Sequence, residues 1–188
     1  MLIMNCRRSA AVASRRAARR AKAGAAAPGV TLVELVITVA VLAIGLSLAA
    51  PSFTQQVANY RVRSAAESVV NGLNYARGEA IRRNTAVSFT LAGSGPGWTV
   101  DRVDNAATLQ SRSSGEQPGV TATSANSVLT LTFRPTGFVD TAGSWMTQLS
   151  LTSPVANTDS RRIDVFGGGL IRVCDPAANA ANDPRGCL

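Results

Sequence analysis

The chain contains 188 residues, of which 46% are hydrophobic, 16% charged and 5% aromatic. This composition excludes a disordered chain and a collagen-like chain. The sequence has no histidine, which removes the commonest general base and the commonest metal ligand, and its three cysteines cannot form a four-cysteine zinc site. We therefore expect no catalytic site, no bound metal and no cofactor.

The net charge of +8 is concentrated at the N-terminus. Seven of the 19 basic residues precede residue 23, and no acidic residue precedes Glu34. From residue 30 onward the chain has 12 basic and 11 acidic side chains, so this part is nearly neutral. The charge of the whole chain therefore does not indicate a nucleic-acid partner.

The first predicted element is an apolar run of 21 residues, from Val30 to Ala50, in which Glu34 is the only charged residue. A helix of this length crosses the roughly 30 Å hydrocarbon core of a bilayer. By the positive-inside rule the basic leader, residues 1–29, stays in the cytoplasm and the rest lies outside. A cleaved secretory signal is the alternative, but its apolar region usually has roughly 7–15 residues, and the run here contains a carboxylate.

Residues 51–83 are expected to form an amphipathic helix that continues the membrane helix into the globular domain. Polar residues such as Arg63 and Glu67 fall away from its apolar face. Gly72 and Gly78 are expected to weaken this helix by roughly 1 kcal/mol each relative to alanine. The apolar residues recur at spacings of three and four, which places them on one face of a helix: Val62, Ala66, Val69, Leu73, Ala76 and Ala80.

Residues 84–188 are expected to form a β-sheet domain, because the apolar period shortens to two. Glycine- and proline-rich turn signals separate several of the alternating segments. An antiparallel sheet packed on the apolar face of the preceding helix gives an α+β fold. The predicted strands are 86–92, 98–103, 128–134, 147–152, 161–166 and 170–174.

The segment from Pro28 to Glu34 carries the most specific chemistry in the sequence. A carboxylate inside a membrane span is unfavourable and implies a partner. If the chain were cleaved between Gly29 and Val30, the new amine of Val30 would be positively charged. Glu34 of a neighbouring subunit would neutralise this amine and fix the axial register of the two helices. The alternative is that Glu34 lies at the membrane edge and reaches water.

These residues resemble the N-terminal motif of type IV prepilins, which type IV pilins share with the pseudopilins of type II secretion. The resemblance rests on a basic leader ending at Gly29, the residues Val30-Thr31-Leu32-Val33-Glu34-Leu35 and the apolar helix that follows. It implies that a prepilin peptidase cleaves between Gly29 and Val30 and N-methylates Val30. It also implies that Glu34 acts in assembly with other pilin subunits. The family usually begins its mature chain with phenylalanine, whereas this chain has Val30.

Later segments resemble the GspH/FimT group of minor pilins and pseudopilins. The resemblance implies a type IV pilin-like fold in a single-pass inner-membrane protein whose C-terminal domain faces the periplasm. It further implies a structural minor pilin that helps to prime a type IV pilus. A minor pseudopilin of type II secretion is the alternative, because its helix and domain would be the same. The segments that carry the resemblance are 61–67, 73–83, 97–100, 132–137 and 168–174.

Some members of this group bind DNA through a Gly-Arg-x-Arg motif near the C-terminus. Here Gly169-Leu170-Ile171-Arg172 keeps the second arginine and has Leu170 in place of the first. The neighbouring arginines are matched by aspartates, and no basic stripe with interleaved aromatic residues occurs. A DNA contact by Arg172 is therefore the third and least supported interpretation.

Cleavage after Gly29 would remove Cys6 and leave Cys174 and Cys187 in a compartment that permits disulfides. The segment between these two cysteines contains two Asp-Pro steps and no hydrophobic anchor, so it would fray unless tied. We therefore expect a Cys174–Cys187 disulfide that holds the tail to the last strand. A loop of this size contributes roughly 3 kcal/mol in the chain-entropy model.

Overall fold

The computed structural model describes residues 29–187, and the leader with Cys6 lies outside the described residues. Within this part of the chain a long helix, α1 (Leu32–Arg83), is followed by eight strands and a short 3₁₀ helix, η1 (Ser114–Glu116). The chain divides into two units, Met1–Val41 and Leu42–Leu188. The described part of the first unit is the start of α1, and the second unit holds the rest of α1 and every described strand.

The strands form two antiparallel sheets of four strands each. Sheet A has the order β3-β2-β1-β5, and sheet B has the order β4-β6-β7-β8. The predicted α+β class with antiparallel strands is confirmed, whereas the division into two sheets and the strands β3 and β4 were not predicted. The strands are β1 (Val87–Leu91), β2 (Trp98–Arg102), β3 (Thr108–Arg112), β4 (Thr121–Ser124), β5 (Thr130–Phe133), β6 (Gln148–Thr152), β7 (Arg161–Val165) and β8 (Ile171–Cys174).

The C-terminal end of α1 is closed by its backbone and by an ion-pair cluster. Asn84 has a positive φ of 49° and donates its N–H to the carbonyl of Ile81, while the N–H of Thr85 bonds the carbonyl of Ala80. This pair of bonds is a Schellman motif, which satisfies the last helical carbonyls. One turn earlier, the buried carboxylate of Glu79 accepts hydrogen bonds from two arginines, Arg82 at 2.9 and 2.6 Å and Arg83.

The apolar face predicted for residues 51–83 is the face that packs on the sheets. Each of its six apolar residues is at most 2% exposed, and the off-face residues Arg63 and Glu67 are exposed. Their side chains join one core with residues of both sheets, including Phe89 and Trp98 of sheet A and Leu149 of sheet B. The predicted amphipathic face is confirmed.

α1 approaches sheet A closely at Gly72. A Cβ on Gly72 would lie 2.8 Å from Cε2 of Trp98 and 2.9 Å from Cε2 of Phe89. The buried indole of Trp98 donates its Nε1–H to Oγ of Ser68, 3.1 Å away, one turn before Gly72. Gly72 is therefore required for the packing of α1 on sheet A. The sequence predicted only that this glycine weakens the helix.

Sheets A and B meet at two glycine turns, at residues 134–138 and 166–170. Gly137 and Gly169 both have positive φ, 79° and 81°. The N–H of Val139 bonds the carbonyl of Gly167 at 2.9 Å, which joins the two turns. Nε of Arg77 on α1 donates to the carbonyl of Gly137 at 3.0 Å, so the helix also holds this junction.

Candidate functional site

Three of the predicted site residues lie at the start of α1: Gly29 and Val30 just before it and Glu34 in its first turn. Oγ1 of Thr31 accepts a hydrogen bond from the N–H of Glu34 at 3.1 Å, and the carbonyl of Thr31 accepts one from Leu35 at 3.0 Å. Thr31 is therefore the N-cap of the helix. The apolar pattern does not reveal this role, but the Thr-x-x-Glu spacing of a capping box is the signal that identifies it.

The carboxylate of Glu34 is exposed and has no hydrogen-bond or ion-pair partner within residues 29–187. Its place in the first turn is favourable, because the N-terminus of a helix carries a partial positive charge. The bond between Gly29 and Val30 is also accessible. Val30 is 71% exposed, and nothing lies within 4 Å of the position of a Cβ on Gly29. The exposed Gly29–Val30 bond thus lies shortly before an unpaired carboxylate of the first helical turn.

Every residue from 29 to 47 is exposed, although the segment is almost entirely apolar. An uncovered apolar surface of this kind marks a contact with a partner or a membrane. Tested by length and apolarity, no single helix of the described residues qualifies as a membrane span, and Leu32–Ser47 and Ser52–Arg83 qualify only together, as a bent pair. The large exposed residues are Val30, Leu32, Val33, Leu35, Val36, Ile37, Val39, Val41, Leu42, Ile44 and Leu46.

The remaining predicted residues, Cys174, Cys187 and Arg172, lie together at the C-terminal tail. A disulfide joins the two cysteines, which are 13 positions apart. The N–H of Asp175 bonds the carbonyl of Arg185 at 2.7 Å, so the tail returns alongside the end of β8. The predicted Cys174–Cys187 disulfide is therefore present, and it holds the tail to the last strand.

The guanidinium of Arg172 is used within this tail. Its Nη2 donates to the carbonyl of Gly186 at 2.9 Å and to that of Pro184 at 3.2 Å. Arg185 pairs with Asp183 at 2.7 Å, and this bond holds the pKa of Asp183 at about 2. These contacts hold the tail in place and leave no unpaired arginine at the Gly-Arg-x-Arg position.

One cluster in the described residues has metal-ligating side chains: Asp164, Cys174 and Cys187, whose ligand atoms lie within 4.8 Å of one another. Metals bind cysteine as the thiolate, and both sulfurs here are in the disulfide. The carboxylate of Asp164 is also engaged, since it accepts two hydrogen bonds from Arg162 at 2.8 and 3.1 Å. With the disulfide formed, these three side chains therefore make structural contacts and do not form a metal site.

Comparison with known proteins agrees with this geometry. The family model described as "Type II transport protein GspH" matches residues 65–169, which is more than half of the chain. The match spans α1 from residue 65 to its end and the strands up to the turn before β8. A search of curated proteins finds no significant match.

Among solved structures, the chain is similar to the type IV minor pilin FimU of Pseudomonas aeruginosa. The two sequences are 21% identical, the TM-score is 0.51, and the match covers 68% of this chain and 95% of FimU. A second crystal form of FimU gives 22% identity and a TM-score of 0.48 over 67% of this chain and 99% of FimU. The first of these similarities shows that the chain shares the fold of FimU. By the family match the chain belongs to the GspH family of minor pilins and pseudopilins.

Proposed function

We propose that this chain is a minor subunit of a type IV pilus that is processed at its N-terminus and incorporated into the filament. The observation that carries the proposal is the exposed apolar start of α1 with Glu34 as its single charge. A long uncovered apolar helix is stable in a bilayer before assembly and in a bundle of similar helices afterwards. The sheet domain would remain on the outer side of the membrane.

Processing would separate the leader from the mature chain between Gly29 and Val30. Prepilin peptidase would then add a methyl group to the new amine of Val30. The exposure of this bond and its position just before the N-cap, Thr31, support the proposal. Mass spectrometry of the mature protein is expected to give residues 30–188 with one added methyl group, and an intact leader or cleavage near residue 50 would contradict it.

Glu34 would act in assembly by pairing with the amine of Val30 on an adjacent subunit. Inside an apolar environment each of the two charges is unfavourable alone, so each stabilises the other. The absence of a partner for Glu34 within residues 29–187 of its own chain supports an intermolecular contact. Because the pair forms at a single offset of the two helices, it would set their axial register.

The substitution Glu34→Gln tests this mechanism, since it keeps the size of the side chain and removes its charge. The variant is expected to be processed and to fold, but to be absent from sheared filaments of a strain that lacks the wild-type gene. Glu67→Gln is the matched control, because Glu67 is also an exposed carboxylate of α1 but lies in the sheet domain. Assembly of Glu34→Gln at the wild-type level would show that Glu34 has no role in register.

A pseudopilin of type II secretion is the second candidate, favoured by the match to the family of type II transport protein GspH. Cleavage, methylation and the Glu34 pairing would be the same in that system. Deletion of the gene separates the two candidates, because loss of pili with normal protein secretion supports the pilus and the reverse supports secretion. The paired state of Arg172 does not favour a DNA contact, so we do not propose one.

A further inference from the structure

Two cavities between α1 and the C-terminal tail share two of their lining residues, Arg63 and Arg161. The first encloses about 240 Å³ and the second about 310 Å³. We call the two cavities together the arginine cleft. Its lining also includes Asn59, Tyr60 and Asp159 in the first cavity and residues 173–175 and 184–185 in the second. All of these residues belong to the second unit of the chain.

Arg63 differs from every other arginine in residues 29–187, because it has neither a hydrogen bond nor an ion pair. This part of the chain contains 12 arginines, and each of the other 11 donates to a carboxylate or to a backbone carbonyl. A guanidinium is always charged and carries five N–H donors. Arg63 is also exposed, so its donors are available to a ligand that enters the cleft.

The side chains beside Arg63 are already held in place. Oδ1 of Asn59, one turn earlier on α1, accepts the N–H of Asp159 at 2.8 Å, which leaves Nδ2 of Asn59 as the free donor of the amide. Nη1 of Arg161 pairs with Asp175, and its Nη2 lies 3.7 Å from Oδ2 of Asp159. The cleft is therefore formed before a ligand binds, so binding need not include the cost of ordering these side chains.

The charges in the cleft favour a ligand with a single negative charge. The guanidinium of Arg161 is matched by Asp175, and that of Arg185 by Asp183. The carboxylates of Asp159 and Asp175 line the cleft and would repel further negative charges of a polyanion. A carboxylate carries one charge, and its two oxygens match two parallel N–H donors of a guanidinium.

We propose that the arginine cleft binds one carboxylate group through Arg63, with Nδ2 of Asn59 as a second donor. The carboxylate belongs either to an acidic side chain of a partner protein or to a small organic acid. Both sources offer the same two oxygens to the same donors. The inference does not depend on assembly into a filament, since every residue that carries it lies within one chain.

NMR titration of the arginine Nε–H signals tests the site in the detergent-solubilised full-length protein. The probe is the peptide acetyl-Gly-Glu-Gly-amide. The matched control is acetyl-Gly-Gln-Gly-amide, which has nearly the same shape and no charge. The glutamate peptide is expected to shift the signal of Arg63 until saturation, whereas the glutamine peptide leaves it in place. Equal shifts with the two peptides, or no shift with either, overturn the proposal.

Two arginine substitutions provide a matched comparison. Arg63→Gln is expected to weaken binding of the glutamate peptide by at least about tenfold, measured on the side-chain amide signal of Asn59. Arg112→Gln removes an exposed arginine of β3, outside the cleft, and is expected to bind the peptide like the wild type. The dispersion of the backbone amide signals checks that both variants fold. Wild-type affinity of Arg63→Gln overturns the proposal.

A photo-crosslinking amino acid at position 60 identifies the source of the carboxylate. Tyr60 is an exposed residue of the cleft, and benzoylphenylalanine replaces it in the full-length protein in cells. An adduct with an acidic segment of another protein, lost in Arg63→Gln, assigns the carboxylate to a protein partner. An organic acid released from the purified wild-type protein, but not from Arg63→Gln, assigns it to a small molecule. Absence of both overturns the proposal.

Discussion

The carbonyl oxygen of Gly137 lies 2.3 Å from the position that a Cβ on Gly169 would take. Gly137 lies in the turn after β5 of sheet A, whereas Gly169 lies in the turn between β7 and β8 of sheet B. Nε of Arg77 would lie 3.0 Å from the same Cβ position. A backbone oxygen cannot move aside as a flexible side chain does, so glycine at 169 is required for the two sheets to meet at this distance.

Gly169→Ala is therefore expected to destabilise the domain by more than about 2 kcal/mol, because it adds this contact to a strained positive φ. The free energy of unfolding is measured by urea denaturation of the detergent-solubilised full-length protein. Gly168→Ala is the control, since nothing lies within 4 Å of its Cβ position. Equal stability of the two variants would contradict the account of the junction.

Gly72→Ala and Gly78→Ala are expected to change stability in opposite directions although both glycines lie in α1. The new Cβ at position 72 would lie 2.8 Å from the Trp98 ring, so the helix or the indole must move. At position 78 nothing lies within 4 Å, and alanine gains up to about 1 kcal/mol from its higher helix propensity. The same urea titration, followed by tryptophan fluorescence, decides between this expectation and a uniform effect of helix propensity.

Glu79 is expected to make the stability of the domain depend on pH in acid. Hydrogen bonds from Arg82 and Arg83 lower the pKa of Glu79 from 4.5 to about 2. A carboxyl whose pKa is lower in the folded state stabilises that state fully at pH values above its unfolded pKa. This contribution is lost as the pH falls from about 4.5 towards 2. Because Arg82 is 62% exposed, solvent screens its interaction with Glu79, and we expect a contribution of about 1 to 2 kcal/mol to the free energy of unfolding.

Glu79→Gln should therefore be less stable than the wild type at pH 7 and equal to it near pH 2. The measurement is the free energy of unfolding between these two pH values. Glu67→Gln, which removes an exposed carboxylate of the same helix, is the control for general charge effects. A difference between Glu79→Gln and the wild type that stays constant across this range would rule out the proposed ionic contribution.

The disulfide is expected to contribute roughly 3 kcal/mol to stability and to protect the tail. In the double variant Cys174→Ala/Cys187→Ala, the segment after β8 keeps the hydrogen bonds of Arg172 but loses its covalent tie. Trypsin should then cleave at Arg185 faster than in the oxidised wild type. A reducing agent should reproduce the effect in the wild type and change nothing in the variant. If the wild type were cleaved at the same rate before and after reduction, the hydrogen bonds alone would be sufficient to keep the tail ordered.

The parts of the fold that the sequence predicts are those in which the apolar pattern and the burial pattern coincide. The face of α1 that includes Val62 and Ala80 is predicted because each of its residues faces the core. Strand β3 shows no such pattern, since all but one of its residues are exposed, with Leu109 half-buried. Strand β4 buries Ala122 and Ser124, and a serine carries no apolar signal. Strands at an exposed edge or with polar buried residues are therefore missed.

The division into two sheets is missed for a different reason. A period of two tells which side chains face the core, but not which strand is the neighbour. Pairing of β1 with β5 brings Val87 opposite Phe133. Because β2, β3 and β4 lie between these two strands in the chain, the pairing leaves no local signal. The requirement for glycine at positions 72 and 169 is likewise a property of contacts between distant segments.

For the candidate site, the chemistry could be read from the sequence, but the local structure could not. Glu34 and the Gly29–Val30 bond stand out because a charge interrupts an apolar run, and their role in processing and assembly stays a prediction. An apolar cleft lined by Phe53, Pro118 and Val155 carries no sequence signal, since its walls come from connections about 65 and 100 residues further along the chain than Phe53.

The order of the strands has a consequence for how the domain folds. The chain builds β1 to β3 in sheet A, passes to β4 in sheet B, returns to β5 in sheet A and ends with β6 to β8 in sheet B. Sheet A cannot be completed before the chain has visited sheet B, and β4 finds its partner β6 only after that return. The two sheets are thus interlaced, with many contacts between distant segments, which favours slow folding and a single cooperative unfolding transition.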